Sequence, residues 1–168
     1  MKRILLALLI CFIALPAFSQ SQSIKQFYRK YKRTENTVNF NAPAWLIRLG
    51  ASIAINHVDD PAEQATLRLA KKVRKARVLV MEDRKHLRSG DLNQLINDVH
   101  QEDFEDLISF REGSEVIQIL IREKEEVIRD LLILINEEDS FIMLALKTKM
   151  HIEDINEVLR ANDIIAFH

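Results

Sequence analysis

Hydrophobic positions change period several times along the chain, and each change marks an element. Ile24, Phe27, Tyr28 and Tyr31 recur at spacings of three and four with cations between them, which predicts a helix over residues 23–32. Residues 36–41 alternate instead, with Val38 and Phe40 on one side and Thr37 and Asn39 on the other, the period of a short strand. Pro43 suits the first turn of a helix running to about Asn56, with Trp45, Leu46, Leu49 and Ile53 expected to point inward. Asp60-Pro61-x-Glu63 is a helix start, with Asp60 as cap and Pro61 at the first position; that helix ends near Lys72. Residues 76–81 read as a second strand and residues 84–90 as a polar loop. Asp91 is the expected cap of a helix carrying Leu92, Leu95, Ile96 and Val99 on its apolar stripe.

From Phe104 onward the pattern is denser. Apolar runs at 104–110, 116–121, 127–135 and 141–146 are separated by Glu112-Gly113-Ser114, Lys124-Glu125-Glu126 and Glu137-Glu138-Asp139. Their Ile and Val richness and the regular polar breaks predict a meander of antiparallel strands. The rival is one long helix over 114–136, because 117, 120, 121, 128, 131 and 132 also share a helical face. Ile152, Ile155 and Leu159 predict a closing helix over 152–160. The fold class is therefore α+β: an antiparallel meander sheet packed with amphipathic helices.

Strands this apolar have little room for a solvated side. A half-solvated strand alternates, whereas 116–121 holds five apolar residues of six and 141–146 six of six. The sheet must lose water on both faces. If the helices all lie on one face, the bare face is an interface with a second copy or with another protein. Leu132→Glu or Leu134→Glu is the substitution expected to probe that surface.

The first nineteen residues differ from the rest. Lys2 and Arg3 precede an apolar run from Ile4 to Ala17, and Ala17-Phe18-Ser19 places small residues at a cleavage site. Residues 1–19 read as a secretory signal peptide cut before Gln20, leaving residues 20–168 as a single α+β domain in the periplasm or outer envelope. No second apolar run approaches 18 uncharged residues, so no spanning helix is expected after the signal. The single cysteine, Cys11, lies inside the apolar run, and Leu8-Leu9-Ile10 before it lacks the small residue of a lipid-attachment site. The mature chain thus carries no thiol, and its stability must come from its core.

Charge is unevenly distributed. Residues 20–90 hold 15 Lys and Arg against 6 Asp and Glu, and residues 91–168 hold 7 against 19. The two halves either complement each other within the fold or give the molecule two distinct faces. Arg68, Lys71, Lys72, Arg74, Lys75 and Arg77 form the densest basic cluster. An exported protein does not meet nucleic acid, so the expected partner of this cluster is a weakly held anionic surface, against the plainer reading of a solvated helix end.

The order of segments resembles a known family. An aromatic-basic helix is followed by Val38-Asn39-Phe40 leading into Trp45-Leu46-Ile47-Arg48-Leu49, then the strand Ala76-Arg77-Val78-Leu79-Val80. The most specific piece is the meander Ile117-Gln118-Ile119-Leu120-Ile121-Arg122-Glu123-Lys124, Ile128 through Ile135 and Phe141 through Leu146, closed by Ile152-Glu153-Asp154-Ile155. This resembles the exported Bacteroidetes proteins grouped as domain of unknown function forty-two fifty-two. The resemblance implies an α+β domain in the envelope and brings no activity or functional residues. His151 departs from it, standing where a small turn residue is expected, and residues 164–168 extend beyond it.

Chemistry-bearing patterns are sparse. His151-x-Glu153-Asp154 and His100 with Glu102, Asp103, Glu105 and Asp106 place ligand types together, but neither has the spacing of a known metal loop. Ser109, Ser114 and Ser140 lack a nucleophile elbow, and Gly50, Gly90 and Gly113 form no phosphate-cradling loop. No catalytic, cofactor-binding or metal-binding residue is assigned. The expected function is a non-enzymatic envelope protein that binds another protein or a surface. The alternatives are an enzyme whose site is assembled from distant residues, and an adaptor in envelope signalling.

Overall fold

A computed structural model describes residues 21–161; the segment read as a signal peptide and the tail 164–168 lie outside the described residues. The elements in chain order are α1 (Gln22–Tyr31), β1 (Thr37–Pro43), α2 (Ala44–Ala54), α3 (Pro61–Ala70), β2 (Val73–Met81), α4 (Ser89–Gln101), β3 (Glu105–Glu112), β4 (Glu115–Lys124), β5 (Val127–Asn136), β6 (Phe141–Met150) and α5 (Ile152–Ala161). Short 3₁₀ turns occupy Ile55–His57 and Arg84–His86. All six strands join one antiparallel sheet in the order β1-β2-β6-β5-β4-β3. The class is α+β. Residues 114–136 form two strands and not one long helix, because the chain reverses between Lys124 and Val127.

Helices cover the sheet on both faces, but unequally. On the first face α1 and α4 seal a core of Leu79, Met81, Leu120, Leu132, Leu134, Phe141 and Met143, with Ile24, Phe27, Leu95 and Val99 above it. Phe27 meets Phe141 edge-on at 5.8 Å. Both ends of α1 are tied to α4. The Ser23 amide and hydroxyl donate to Glu102 at 3.0 and 2.6 Å, while Lys30 reaches Asp91 at 2.7 Å and the Tyr31 hydroxyl donates to the same carboxylate. Asp91 is therefore a clamp between helices and not the cap of α4, which begins two residues earlier, at Ser89. The expected loop at 84–90 accordingly shrinks to a 3₁₀ turn and the first residues of α4.

On the second face α2, α3 and α5 gather over one end of the sheet. Val73, Ile121, Ile128, Leu131, Met150 and Ile155 form this smaller core, with Ile47 of α2 and Leu69 of α3 packed against it. Asp60 accepts from the Ala62 amide at 2.9 Å to start α3, as the Asp-Pro signal predicts. α2 departs from expectation. Trp45, Leu49 and Ile53 point outward, exposed by 66%, 52% and 56%, while Ala51 is buried and Ile47 packs inward. The helix is apolar on both sides, so periodicity marks two stripes and cannot say which one meets the core.

The two charged halves of the sequence meet across the fold. Lys30–Asp91, Arg68–Glu157 (3.2 Å) and Lys72–Asp154 (2.6 Å) each join a cation from the basic half to an acid from the acidic half. These three pairs make the two halves partly complementary within the fold.

Candidate functional site

Beyond α2, α3 and α5 the second face carries two rows of apolar side chains, the inner one packed in part against the smaller core and the outer one bounded by Glu112 and Glu115. Directly paired residues point to the same side of a sheet, so the strand register defines rows that run across all six strands. One row is Phe40, Val78, Leu144, Ile133, Ile119 and Ile108. The next is Val38, Val80, Ile142, Ile135, Ile117 and Phe110. Each row holds six apolar residues and no polar one. A third row, through Ala42, Ala76, Leu146, Leu131 and Ile121, lies toward the end where the helices pack.

Exposure rises toward the two edges of the rows. Val38, Phe40 and Phe110 are exposed by 59%, 49% and 46%, and the residues between them are half-buried. The opposite side chains of the same strands, Leu79, Leu120, Leu132, Leu134 and Met143, are shut away under α1 and α4. Leu132 and Leu134 thus belong to the sealed core, and the residues that probe the open face are their neighbours Ile133 and Ile135. Soluble proteins seldom leave a contiguous apolar patch of more than a few hundred Å² in water unless something binds it.

A second arrangement lies on the first face, beside Tyr28 of α1. Arg77 is buried, stacks 4.8 Å over the Tyr28 ring and donates from Nε to Asn41 at 3.1 Å. Its Nη1 has no hydrogen-bond partner, and burial pulls the guanidinium below its usual pKa. Asn41 in turn donates to the Tyr28 hydroxyl, which donates to Asn39. On the same face, Arg122 holds the buried Asp130 through two bonds at 3.1 and 2.6 Å, and burial lowers the pKa of the nearby Lys147. These contacts fix polar groups against one another within the sheet.

The residues singled out by sequence are scattered. The basic cluster divides three ways: Arg68 and Lys72 pair with acids of α5, Arg77 is buried under Tyr28, and Lys71, Arg74 and Lys75 remain toward solvent. His151 bonds through Nδ1 to the Glu126 carbonyl at 2.8 Å, and its amide donates to Asp154 at 2.9 Å. The Asp154 carboxyl thus sits at the start of α5. Burial pushes its pKa up, but Lys72 and the His151 amide bring it below the usual range. His100 contacts Asp106 at 3.1 Å, while Glu102 turns away to Ser23. Among the described residues, no three His, Asp or Glu side chains converge as metal ligands.

An open hollow of about 640 Å³ lies between the β2–α4 and β5–β6 connections, lined by Glu82, Asp83, Arg84, Lys85 and Asp139 among others. The Lys85 amide holds the Asp83 carboxyl below its ordinary pKa, the direction opposite to that of a general acid. The open apolar rows were missed as a site by sequence because each strand reads as uniformly apolar. Only the register between strands shows which residues stand together in the open.

A comparison with curated proteins yields no match. The model of the family described as Domain of unknown function (DUF4252) matches residues 31–158, from the end of α1 into α5. With the whole sheet inside that match, the chain belongs to the DUF4252 family.

Proposed function

We propose that this is an exported envelope protein that works through a protein contact made by the open half of its sheet. The observation that carries the reading is the pair of six-residue apolar rows with no polar side chain among them. A sheet face of this kind needs an apolar cover, and burial is worth about 25 cal/mol per Å² of apolar surface. Export follows from the sequence of residues 1–19, and no helix among the described residues is long and apolar enough to cross a membrane. A contact between the basic segment and an anionic surface would fall mainly to Lys71, Arg74 and Lys75, because Arg68 and Lys72 are paired and Arg77 is buried.

The test is a cross-linked pull-down from the native envelope with the natural protein and with Ile135→Glu. The natural protein should retain a stoichiometric protein that Ile135→Glu loses while keeping its own circular dichroism spectrum. Equal recovery by both would show that the rows are not the binding surface.

A further inference from the structure

α2 offers a second apolar surface that the other described residues leave open. Ile47 packs against the smaller core and Ala51 is buried, while Trp45, Leu49 and Ile53 form the opposite stripe. Arg48 is the only charged residue among its eleven. The helix carries apolar stripes on two sides, with Arg48 and Ser52 exposed beside the outer one, yet the described residues cover it on one side only.

Among the described residues the open rows lack a helix, and the open stripe of α2 lacks a sheet. We propose that two copies of this chain associate about a two-fold axis, the α2 of each lying on the open rows of the other. This rests on the reading of the rows as a protein-binding surface and names the occupant. A foreign helix would cover the rows and leave Trp45, Leu49 and Ile53 in water. A second copy covers both surfaces with one contact, which is the self-complementary geometry of an isologous dimer.

The dimensions agree. Trp45 to Ile53 spans roughly 12 Å at 1.5 Å per residue, and six strands at about 4.8 Å spacing give a floor about 24 Å wide. The helices stand over one end of the face and the other end is bare, so each copy has a step into which the helical layer of the other fits. The area is also sufficient. Phe40, Trp45 and Phe110 offer roughly 150–250 Å² each before burial; at about half exposure, and with the smaller Val38, Leu49 and Ile53 added, the six most exposed residues leave on the order of 600 Å² open. The half-buried members of the rows bring this to about 800 Å², the share one partner gives to a standard interface. Trp45 is the natural anchor, being the residue type most often found at the energetic centre of such contacts.

Sedimentation equilibrium on protein purified from cells expressing the full sequence tests the arrangement. The natural protein should be dimeric at micromolar concentration. Trp45→Glu and Ile135→Glu should each raise the dimer dissociation constant by at least 100-fold with an unchanged circular dichroism spectrum. The milder Trp45→Ser and Ile135→Ser serve if a charge prevents folding. Mixing Leu49→Cys with Ile142→Cys should give a disulfide-linked heterodimer, and neither variant alone should cross-link. A monomer at 100 µM overturns the proposal, as does a dimer indifferent to both substitutions. A dimer broken by Ile135→Glu but not by Trp45→Glu means the sheets pack directly and overturns the role of α2. A monomer whose open rows still capture an envelope protein, lost in Ile135→Glu, overturns the second copy and leaves the binding surface standing. A monomer that captures nothing removes both. A chain ending at Arg160 that dimerises when the full chain does not would identify residues 161–168 as the cover and overturn the second copy.

Discussion

Leu134 and Ile135 are neighbours on β5 and live in different surroundings. Leu134 points into the core sealed by α1 and α4, while Ile135 stands half-buried in an open row between Ile142 and Ile117. One step along a strand exchanges one face for the other. Leu134→Ala should therefore cost about 2–5 kcal/mol, the range for emptying a packed site. Ile135→Ala should cost under about 1 kcal/mol when urea unfolding is measured at a concentration where the chain is monomeric. Equal losses would show that the second face is covered along its whole length.

The two clamps between α1 and α4 predict the response to acid. Burial pushes the Glu102 carboxyl up, but hydrogen bonds from Ser21 and Ser23 bring it below its ordinary value. The hydrogen bonds from Lys30 and Tyr31 hold Asp91 down in the same way. A carboxyl with a depressed folded-state pKa contributes stability that is complete above the unfolded value, about 4. That contribution is lost as pH falls through the lower folded value. Stability measured by urea unfolding should therefore decline from about pH 4 downward. Glu102→Gln should flatten part of the decline, and an unchanged slope would rule out the clamp as its source.

The same clamp has an alkaline signature. Burial and the Asp91 carboxylate push the Tyr31 hydroxyl up to about 12. The unfolded chain releases that proton near pH 10. The stabilisation is complete below pH 10 and is lost as pH rises from about 10 to about 12. Tyr31→Phe should remove this component, so that the stability gap between the variant and the natural protein narrows across that interval. A gap that stays constant there would show that the hydroxyl does not titrate late.

Much of the fold was legible because it rests on local signals. The period of α1, the Asp60-Pro61 start of α3 and the polar breaks of the meander all correspond to observed elements. Asp91 misled because an acid near a helix start satisfies the pattern of a cap, while its partners, Lys30 and Tyr31, are about sixty residues away. Trp45, Leu49 and Ile53 misled because a helix apolar on two sides gives no sign of which side its own chain uses. The open rows were legible only as an excess of apolar residues. Their position depends on the pairing of β2 with β6, a contact between residues more than sixty apart.

Export predicts a specific product. Ser21 accepts the Ile24 amide at 3.1 Å at the start of α1, so a cut before Gln20 would start the chain just ahead of its first capping residue. Mass analysis of envelope material should show a chain starting at Gln20. That chain lacks Cys11, and its melting temperature should be the same with and without reductant and chelator. An intact Met1 in cytosolic material would refute export, and a large shift with either reagent would point to a cross-link or metal in the fold.

The turn between β4 and β5 carries strain that mutation can relieve. Glu125 and Glu126 form a two-residue hairpin loop with φ of 56° and 58°, both in the left-handed region. Tight hairpin loops take this shape because it matches the twist of the flanking strands, and they favour Asn-Gly there. A side chain with a Cβ costs about 1 kcal/mol or more per residue in that conformation. The backbone is held regardless, since the Glu126 carbonyl accepts from His151 Nδ1 at 2.8 Å and Lys124 pairs with Val127 across the turn. Glu125→Asn with Glu126→Gly leaves both contacts in place and removes most of the strain. The double variant should gain about 1 kcal/mol, or a rise of about 3 °C in Tm for a chain of this size. Glu125→Val should lose stability, because branching at Cβ makes the left-handed region harder to occupy. If both variants melt with the natural protein, the turn does not hold this conformation in solution.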